Sequence, residues 1–309
     1  MPPTITVLGA GSWGTALAIL LARNGISTVL WSHNPEHAAR MRMERQNPYY
    51  LPASHFPSTL EVTADFHDAV RSITGAVLIA VPSRAFRETV EHLPAVRNPA
   101  CGVIWATKGL DPKKGCLLHE VAIEILGNEV TLAVLSGPTF AVEVAAGLPS
   151  ALTVASTSTA FANRIVSWLH NTNFRAYTSD DMVGVQLGGA SKNVLAIAAG
   201  VADGLGYGAN ARAALITRGL AEMMRLGIAM GARMETLTGL AGVGDLVLTA
   251  TDNQSRNRRF GLGLGQGKSH DGVEMPIADQ VYRILYEGLT PLEAVNNLLL
   301  REPKPERII

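Results

Sequence analysis

Apolar residues come in two rhythms along this chain, and the change of rhythm divides it. Residues 4–8 (Thr-Ile-Thr-Val-Leu) are a short β-branched run closed by Gly9, the signature of a buried strand. Residues 14–24 then carry small and aliphatic side chains at helical spacing and stop at Asn24-Gly25, a helix-ending pair. Ser27 to Trp31 repeat the strand pattern. Further apolar runs at 76–81, 102–106, 132–135 and 152–155 alternate with helical stretches at 84–93, 115–126 and 159–170. Strand and helix alternate, and the strands are read as apolar throughout. This predicts a parallel sheet covered by helices on both faces. Beyond about residue 182 the strand signal vanishes. Residues 184–202, 211–230, 234–240 and 276–299 instead place Leu, Ile, Val and Met at three- and four-residue intervals. Tyr177 to Asp181 read as a polar turn between the halves. The expectation is an α/β domain over residues 1–182 and an all-helical domain over 183–309.

Bulk properties narrow the function. A chain of 309 residues suits two domains, and 47% hydrophobic content with 17% charged residues excludes a disordered chain. Formal charge is +0, so no global field favours nucleic acid or an acidic membrane, and anion recognition must be local. The two cysteines, Cys101 and Cys116, sit in apolar surroundings and read as buried thiols, with no disulfide or metal site expected. The N-terminus runs straight into a strand without a basic segment and a cleavable apolar block. Uncharged apolar stretches such as 194–202 are far shorter than a bilayer span. A soluble cytoplasmic protein is expected.

Gly9-Ala10-Gly11-Ser12-Trp13-Gly14 is a G-x-G-x-x-G that directly follows a strand and opens a helix. In that setting the first glycine permits a tight turn and the second lets a pyrophosphate approach the backbone. The third (Gly14) allows close packing, and the helix N-terminus faces the anion. Dinucleotide binding follows. The second strand ends Leu30-Trp31-Ser32-His33-Asn34, without the Asp or Glu that usually holds the ribose diol of NAD. Loss of that carboxylate removes repulsion against a 2′-phosphate, and His33 can hydrogen-bond one. NADP, or both NADP and NAD, is therefore expected; the alternative is that His33 only caps a turn. Thr107-Lys108-Gly109-Leu110 and Ser136-Gly137-Pro138-Thr139-Phe140-Ala141 each follow a strand. Both loops therefore lie at the sheet's carboxyl edge, where doubly wound folds bind ligands.

Val185-Gln186-Leu187-Gly188-Gly189-Ala190-Ser191-Lys192-Asn193-Val194 sets one lysine in a small, apolar helix. Burial disfavours its cation and lowers its pKa toward the range of about 7–8 useful to a general base, from an ordinary value of about 10.4. The alternative is a snorkelling stem with its amine in water. Gly242-Val243-Gly244-Asp245-Leu246 likewise sets one acid in apolar surroundings, where a carboxylate needs a partner. Lys192 is the candidate, although Asp245 can equally cap a helix. Downstream, Ser255-Arg256-Asn257-Arg258-Arg259 suits a phosphate dianion, because guanidinium donates paired hydrogen bonds to oxygen. Arg258 and Arg259 can also be plain surface charges. Neutral net charge and the lack of interleaved aromatics argue against nucleic acid.

Taken together, GAGSWGTALA, WATKGL, SGPTFAVEVAAGLP, GVQLGGASKNVLAIAAG, GLGYGANARAALITRGLAEM, AGVGDLVLT and DNQSRNRRFG closely resemble bacterial-type NAD(P)-dependent glycerol-3-phosphate dehydrogenases. The resemblance implies a Rossmann domain followed by a helical domain of the 6-phosphogluconate-dehydrogenase type, commonly as a homodimer. It implies interconversion of sn-glycerol 3-phosphate and dihydroxyacetone phosphate, supplying glycerol 3-phosphate for phospholipid synthesis. It casts Ser12, Trp13, His33 and Ala141 as cofactor contacts and Lys108 as a contact to cofactor and substrate. Gly137 and Thr139 match its substrate loop, and Lys192 its proton acceptor. Asp245, Ser255, Arg256 and Asn257 match substrate-binding positions, with Arg256 also reaching the cofactor. One departure stands out. Family members carry a helix-sized segment, with a cofactor-touching Val-Glu-Gly piece, between the Gly261–Gly267 stretch and Gly272-Val273-Glu274-Met275-Pro276. Here Lys268-Ser269-His270-Asp271 joins the two sides. Either the segment is deleted or the written sequence closes over a disordered stretch, and the second is the expectation. Two rival readings remain at this point: a relative acting on a hydroxy acid, and a non-catalytic dinucleotide-binding redox sensor.

Overall fold

The computed structural model describes residues 3–71, 73–93 and 101–267, with positions 289 and 293 beyond them. The helix expected over 276–299 and the junction at Lys268–Asp271 lie outside the described residues. Residues Met1–Gln266 form one unit and Gly267–Ile309 a second.

Within the first unit the chain begins β1 (Thr4–Leu8), α1 (Ser12–Arg23), β2 (Ser27–Trp31) and α2 (Pro35–Glu44). There follow β3 (Gln46–Asn47), β4 (Leu51–His55), β5 (Leu60–Thr63), α3 (Phe66–Arg71), β6 (Ala76–Ile79) and α4 (Ser83–Glu91). Next come β7 (Gly102–Trp105), α5 (Leu118–Leu126), β8 (Leu132–Ser136), α6 (Ala141–Ala146), β9 (Ser150–Ser156), α7 (Thr159–Leu169) and β10 (Phe174–Ser179). From there on, the described elements are helical. They are α8 (Met182–Gly204), α9 (Gly208–Ala229), α10 (Met234–Thr238), a π turn (Leu240–Gly244), α11 (Asp245–Thr251) and α12 (Arg256–Gly265). The fold is thus an N-terminal Rossmann-type sheet followed by helices.

Eight strands form one sheet in the order β10-β9-β8-β7-β6-β1-β2-β5. The chain leaves β1 toward β2 and β5, then crosses back to β6 on the other side of β1. That reversal opens a crevice at the carboxyl ends of β1 and β6, the place where such sheets bind ligands. Neighbouring side chains divide between the faces as the apolar runs demand. Ile5, Val7, Leu78 and Ile104 belong to the core under α1 and α7, whereas Leu8, Val77, Ile79, Val103 and Trp105 belong to the core under α4 and α5. Met182 and Val185 of α8 and Ala241 of the π turn join this second core. The helices are therefore seated on the sheet by shared apolar burial, which contributes roughly 1.5–3 kcal/mol per large side chain.

Several expectations need correction. The sheet is not wholly parallel, because β9 runs antiparallel to β8 and β10 then runs parallel to β9. Tyr177 to Ser179 are the end of the edge strand β10, not a turn. An edge strand meets solvent on one side, so its polar residues conceal it from a search for buried runs. Cys101 is buried as expected, but Cys116 is only half-buried.

Candidate active site

The glycine-rich loop has the geometry that a pyrophosphate needs. Gly9 sits at φ +117°, and a Cβ there would stand 2.8 Å from the carbonyl oxygen of Ala80 at the end of β6. A Cβ on Gly14 would stand 1.9 Å from the Gly9 carbonyl oxygen, so α1 begins tight against the loop. At Gly11, by contrast, a Cβ would meet nothing within 4 Å. The first turn of α1 has no side-chain cap at Gly11, which leaves its N–H groups available to an anion. These residues fit a dinucleotide. Asn47, fully buried, donates from Nδ2 to the Ala10 carbonyl (3.0 Å) and to Thr15 Oγ1 (2.8 Å), fastening the loop from behind. Its role is invisible in the sequence, because nothing local links position 47 to position 10.

Ser12 and Trp13 are half-buried in the first turn of α1. His33 is exposed at the end of β2. It does not cap α2; Asn34 does, accepting from the His37 backbone N–H at 3.0 Å. The His33 ring is thus not engaged in capping α2 and stands exposed beyond the carboxyl end of β2.

Across the sheet's carboxyl edge lies a compact charged cluster. Lys192 belongs to α8, and its side chain is 11% exposed. A Cβ on Gly188, one turn earlier, would stand 2.3 Å from the Ala241 carbonyl oxygen. The π turn therefore rests directly on α8 and delivers Asp245, the first residue of α11, to the lysine. Such π turns recur at functional sites because the extra residue per turn re-aims a side chain. Asp245, 1% exposed, accepts from Lys192 Nζ at Oδ1 and from Lys108 Nζ at Oδ2 (2.5 Å). Lys192 Nζ also donates to Thr249 Oγ1 (2.9 Å), whose hydroxyl in turn donates to the Asp245 carbonyl oxygen (2.7 Å). Lys108 Nζ reaches the Gly137 carbonyl at 3.5 Å, and Thr139 Oγ1 donates to the same carbonyl at 3.2 Å. The lysine, the acid and both polar loops singled out in the sequence thus converge. Asp245 partners Lys192 and does not cap a helix: the residue before α11 is Gly244, and that helix has no side-chain cap.

The charges determine which proton leaves. One carboxylate can neutralise one ammonium, and here two lysines share it. The excess cation sits where water is scarce, so the more enclosed amine gives up its proton. Burial and the neighbouring Lys108 charge together push Lys192 down to about 7, against the opposing pull of Asp245. Ser136, at the end of β8, is 3% exposed, and its hydroxyl has no hydrogen-bond partner among the described residues.

The arginine loop divides its three cations. Arg256 is exposed at the first turn of α12, while Arg258 is buried and paired with Asp203, not a surface charge; Arg259 is exposed. Ser255 is buried and caps α12, accepting from the Arg258 backbone N–H. Asn257 Nδ2 donates to Asn193 Oδ1 (2.8 Å), and Asn193 follows Lys192 directly on α8. Asn193 and Thr249 are site residues that pattern reading missed. Asn193 had its place next to the lysine as a signal, and Thr249 had its i+4 spacing from Asp245. Ala141 opens α6 and packs its methyl against the sheet core. Among the described residues no cluster of His, Cys, Asp and Glu can hold a metal ion.

A dinucleotide loop, a buried lysine of lowered pKa and a carboxylate shared with a second lysine define a two-domain, nicotinamide-dependent dehydrogenase. The family models for the N-terminus and the C-terminus of NAD-dependent glycerol-3-phosphate dehydrogenase match residues 4–162 and 181–274, and the chain belongs to that family. It is 63% identical to the glycerol-3-phosphate dehydrogenase [NAD(P)+] of Methylococcus capsulatus, covering 98% of each chain. It is 54% identical to that of Thioalkalivibrio sulfidiphilus, covering 98% of this chain and 99% of the relative. The crystal structure of glycerol-3-phosphate dehydrogenase from Coxiella burnetii is 47% identical, with a TM-score of 0.84 over 97% of this chain and 99% of that one. The Methylococcus alignment runs over 328 residues, more than the 309 of this chain, so that relative carries segments with no counterpart here.

Proposed function

We infer that this protein interconverts sn-glycerol 3-phosphate and dihydroxyacetone phosphate, with NADP or NAD as redox partner. The observation that carries this reading is the Lys192 amine, held on Asp245 beside Lys108 and poised near neutrality. The nicotinamide, when bound, supplies the acceptor for the hydrogen on the substrate's C2. Neutral Lys192 removes the hydroxyl proton as the C2 carbonyl forms. In the opposite direction its ammonium donates to the carbonyl oxygen and returns the proton. Asp245 and Thr249 fix the direction of the Lys192 lone pair, and Asp245 also holds Lys108 in place. Arg256, Asn257 and the first turn of α12 capped by Ser255 grip the phosphate, remote from the reacting carbon. Binding energy at that end holds C2 in position.

Lys108, Gly137 and Thr139 take the glycerol part of the substrate. Gly9, Gly11, Ser12, Trp13, Gly14, His33, Lys108, Ala141 and Arg256 take the cofactor. Residues 1–182 form the cofactor domain and residues 183–309 the substrate domain. In the cell the enzyme works in the cytoplasm as a homodimer and supplies glycerol 3-phosphate for phospholipid synthesis. Among the described residues no helix is long and apolar enough to cross a membrane.

A steady-state assay following NADPH and NADH oxidation tests the reading. Dihydroxyacetone phosphate is expected to be turned over, and unphosphorylated keto acids are not. Preference for a keto acid would point to a hydroxy-acid enzyme. Nucleotide binding without turnover of any triose phosphate would point to a sensor.

A further inference from the structure

Helices α8 and α12 meet backbone to backbone. A Cβ on Gly200 would stand 2.1 Å from the Arg258 carbonyl oxygen, and one on Gly261 would stand 2.0 Å from that of Ile197. Gly204 and Gly265 repeat the contact one turn on, against Leu262 and Val201. This seam fixes α12 along α8, but it does not reach residues 252–255, which lead into α12. The side chain of Arg258 does reach them. Its guanidinium donates to Asp203 Oδ2 (2.5 Å) from one terminal nitrogen and to Asn253 Oδ1 from the other. Asp203 is held in turn by Arg212, at 2.8 and 2.9 Å. The Arg258 and Asp203 side chains are 9% and 8% exposed. Asn253 itself is exposed.

A buried ion pair is a poor device for stability alone, since an apolar pair of similar volume is often as stable. What guanidinium adds is a planar fork that binds two acceptors at a fixed angle. Here the fork spans the end of α8 and the loop ahead of Arg256. Of these two arginines, Arg258 is engaged by the protein, and the Arg256 side chain makes no hydrogen bond or ion pair among the described residues.

We propose that Arg258 is a positioning residue for phosphate recognition: anchored on Asp203, it holds Asn253, and with it the 252–255 turn that presents Arg256 and Asn257 to the substrate's phosphate. The proposal rests on the reading that Arg256 and Asn257 bind that phosphate. Arg258→Met keeps the buried volume and removes the fork, and Arg258→Lys keeps the charge but cannot reach both acceptors. Both variants are expected to raise KM for dihydroxyacetone phosphate about tenfold or more, the order expected for charge-assisted hydrogen bonds. KM for NADPH should rise far less than KM for dihydroxyacetone phosphate, because Arg256 also reaches the cofactor but the Gly9–Gly14 loop takes the pyrophosphate independently of α12. kcat should stay within about threefold, since no transition-state contact is removed. The preference for dihydroxyacetone phosphate over dihydroxyacetone should fall in parallel. Asn253→Ala, on the exposed end of the strap, gives the same direction without touching the buried pair and so serves if the Arg258 variants fail to fold. Arg256→Met is the control. If it leaves KM for the phosphorylated substrate unchanged, the phosphate reading itself fails. If it raises KM while Arg258→Met and Asn253→Ala stay within twofold of the parent, the strap is overturned and the phosphate reading stands. Equal losses on dihydroxyacetone phosphate and dihydroxyacetone, with KM for NADPH rising as far as KM for dihydroxyacetone phosphate, would make Arg258 a merely structural residue and likewise overturn the proposal.

Discussion

Lys192 and Arg256 are both cations of the helical part, and they stand in opposite conditions. Lys192 is enclosed, has Asp245 and Thr249 within reach, and competes with Lys108 for one carboxylate. Arg256 is exposed and has no partner in the described protein, whereas Arg258 beside it is buried and paired. The contrast separates two tasks. A group that must give and take a proton needs burial and a rival charge, since only these bring an amine from about 10.4 toward neutrality. A group that must capture a dianion needs a full positive charge that no protein carboxylate has already neutralised. The proposed roles therefore assign kcat to one site and KM to the other.

That division can be broken by exchange of single residues, the largest effect first. Lys192→Ala removes the proton acceptor and is expected to lower kcat by about 10² to 10⁴-fold, the usual worth of general acid–base catalysis. NADPH affinity, read by fluorescence titration, should stay within twofold, and near-normal turnover would remove the lysine from its role. Arg256→Met is expected to act on the other parameter. KM for dihydroxyacetone phosphate should rise by roughly 10- to 100-fold, equivalent to 1.5–3 kcal/mol of charge-assisted hydrogen bonding. A loss of kcat at saturating substrate as large as that of Lys192→Ala would erase the distinction. Thr249→Val is the smallest change. It deletes the 2.9 Å acceptor of Lys192 but leaves Asp245 in place. About 1 kcal/mol, or roughly fivefold in kcat, is expected from one neutral hydrogen bond.

Where the sequence was legible, it was so for local reasons. The strand–glycine–helix order around Gly9 to Gly14 announces itself within a dozen residues, because the backbone at Gly9 and at Gly14 leaves no room for a side chain. The buried strands were legible for the same kind of reason, since apolar runs between helices leave little choice of environment. The edge strand β10 and the short β4 and β5 were not, because half-exposed strands carry polar residues at every depth. In the site, Lys192 and Asp245 stood out as lone charges in apolar segments, and the structure brings them together across 53 residues of sequence. The π turn that joins them left no such mark. Neither did Arg258, whose burial depends on Asp203 and on glycines of a distant helix. Arg256 and Arg258, identical residues two positions apart, differ only in what the fold places beside them.

The central claim is that Lys192 titrates near neutrality because it is enclosed beside Lys108. The most direct test is the pH dependence of kcat in both directions, for the parent and for Lys108→Met. Oxidation of glycerol 3-phosphate needs the neutral amine, so its rate should climb through an inflection near the value of about 7 given by burial and by Lys108. Reduction of dihydroxyacetone phosphate needs the ammonium, so its rate should fall through the same inflection. With Lys108 replaced, a cause of the depression is gone, and both inflections should move to higher pH. Profiles that are flat across this range, or that stay in place when Lys108 is removed, would contradict the account.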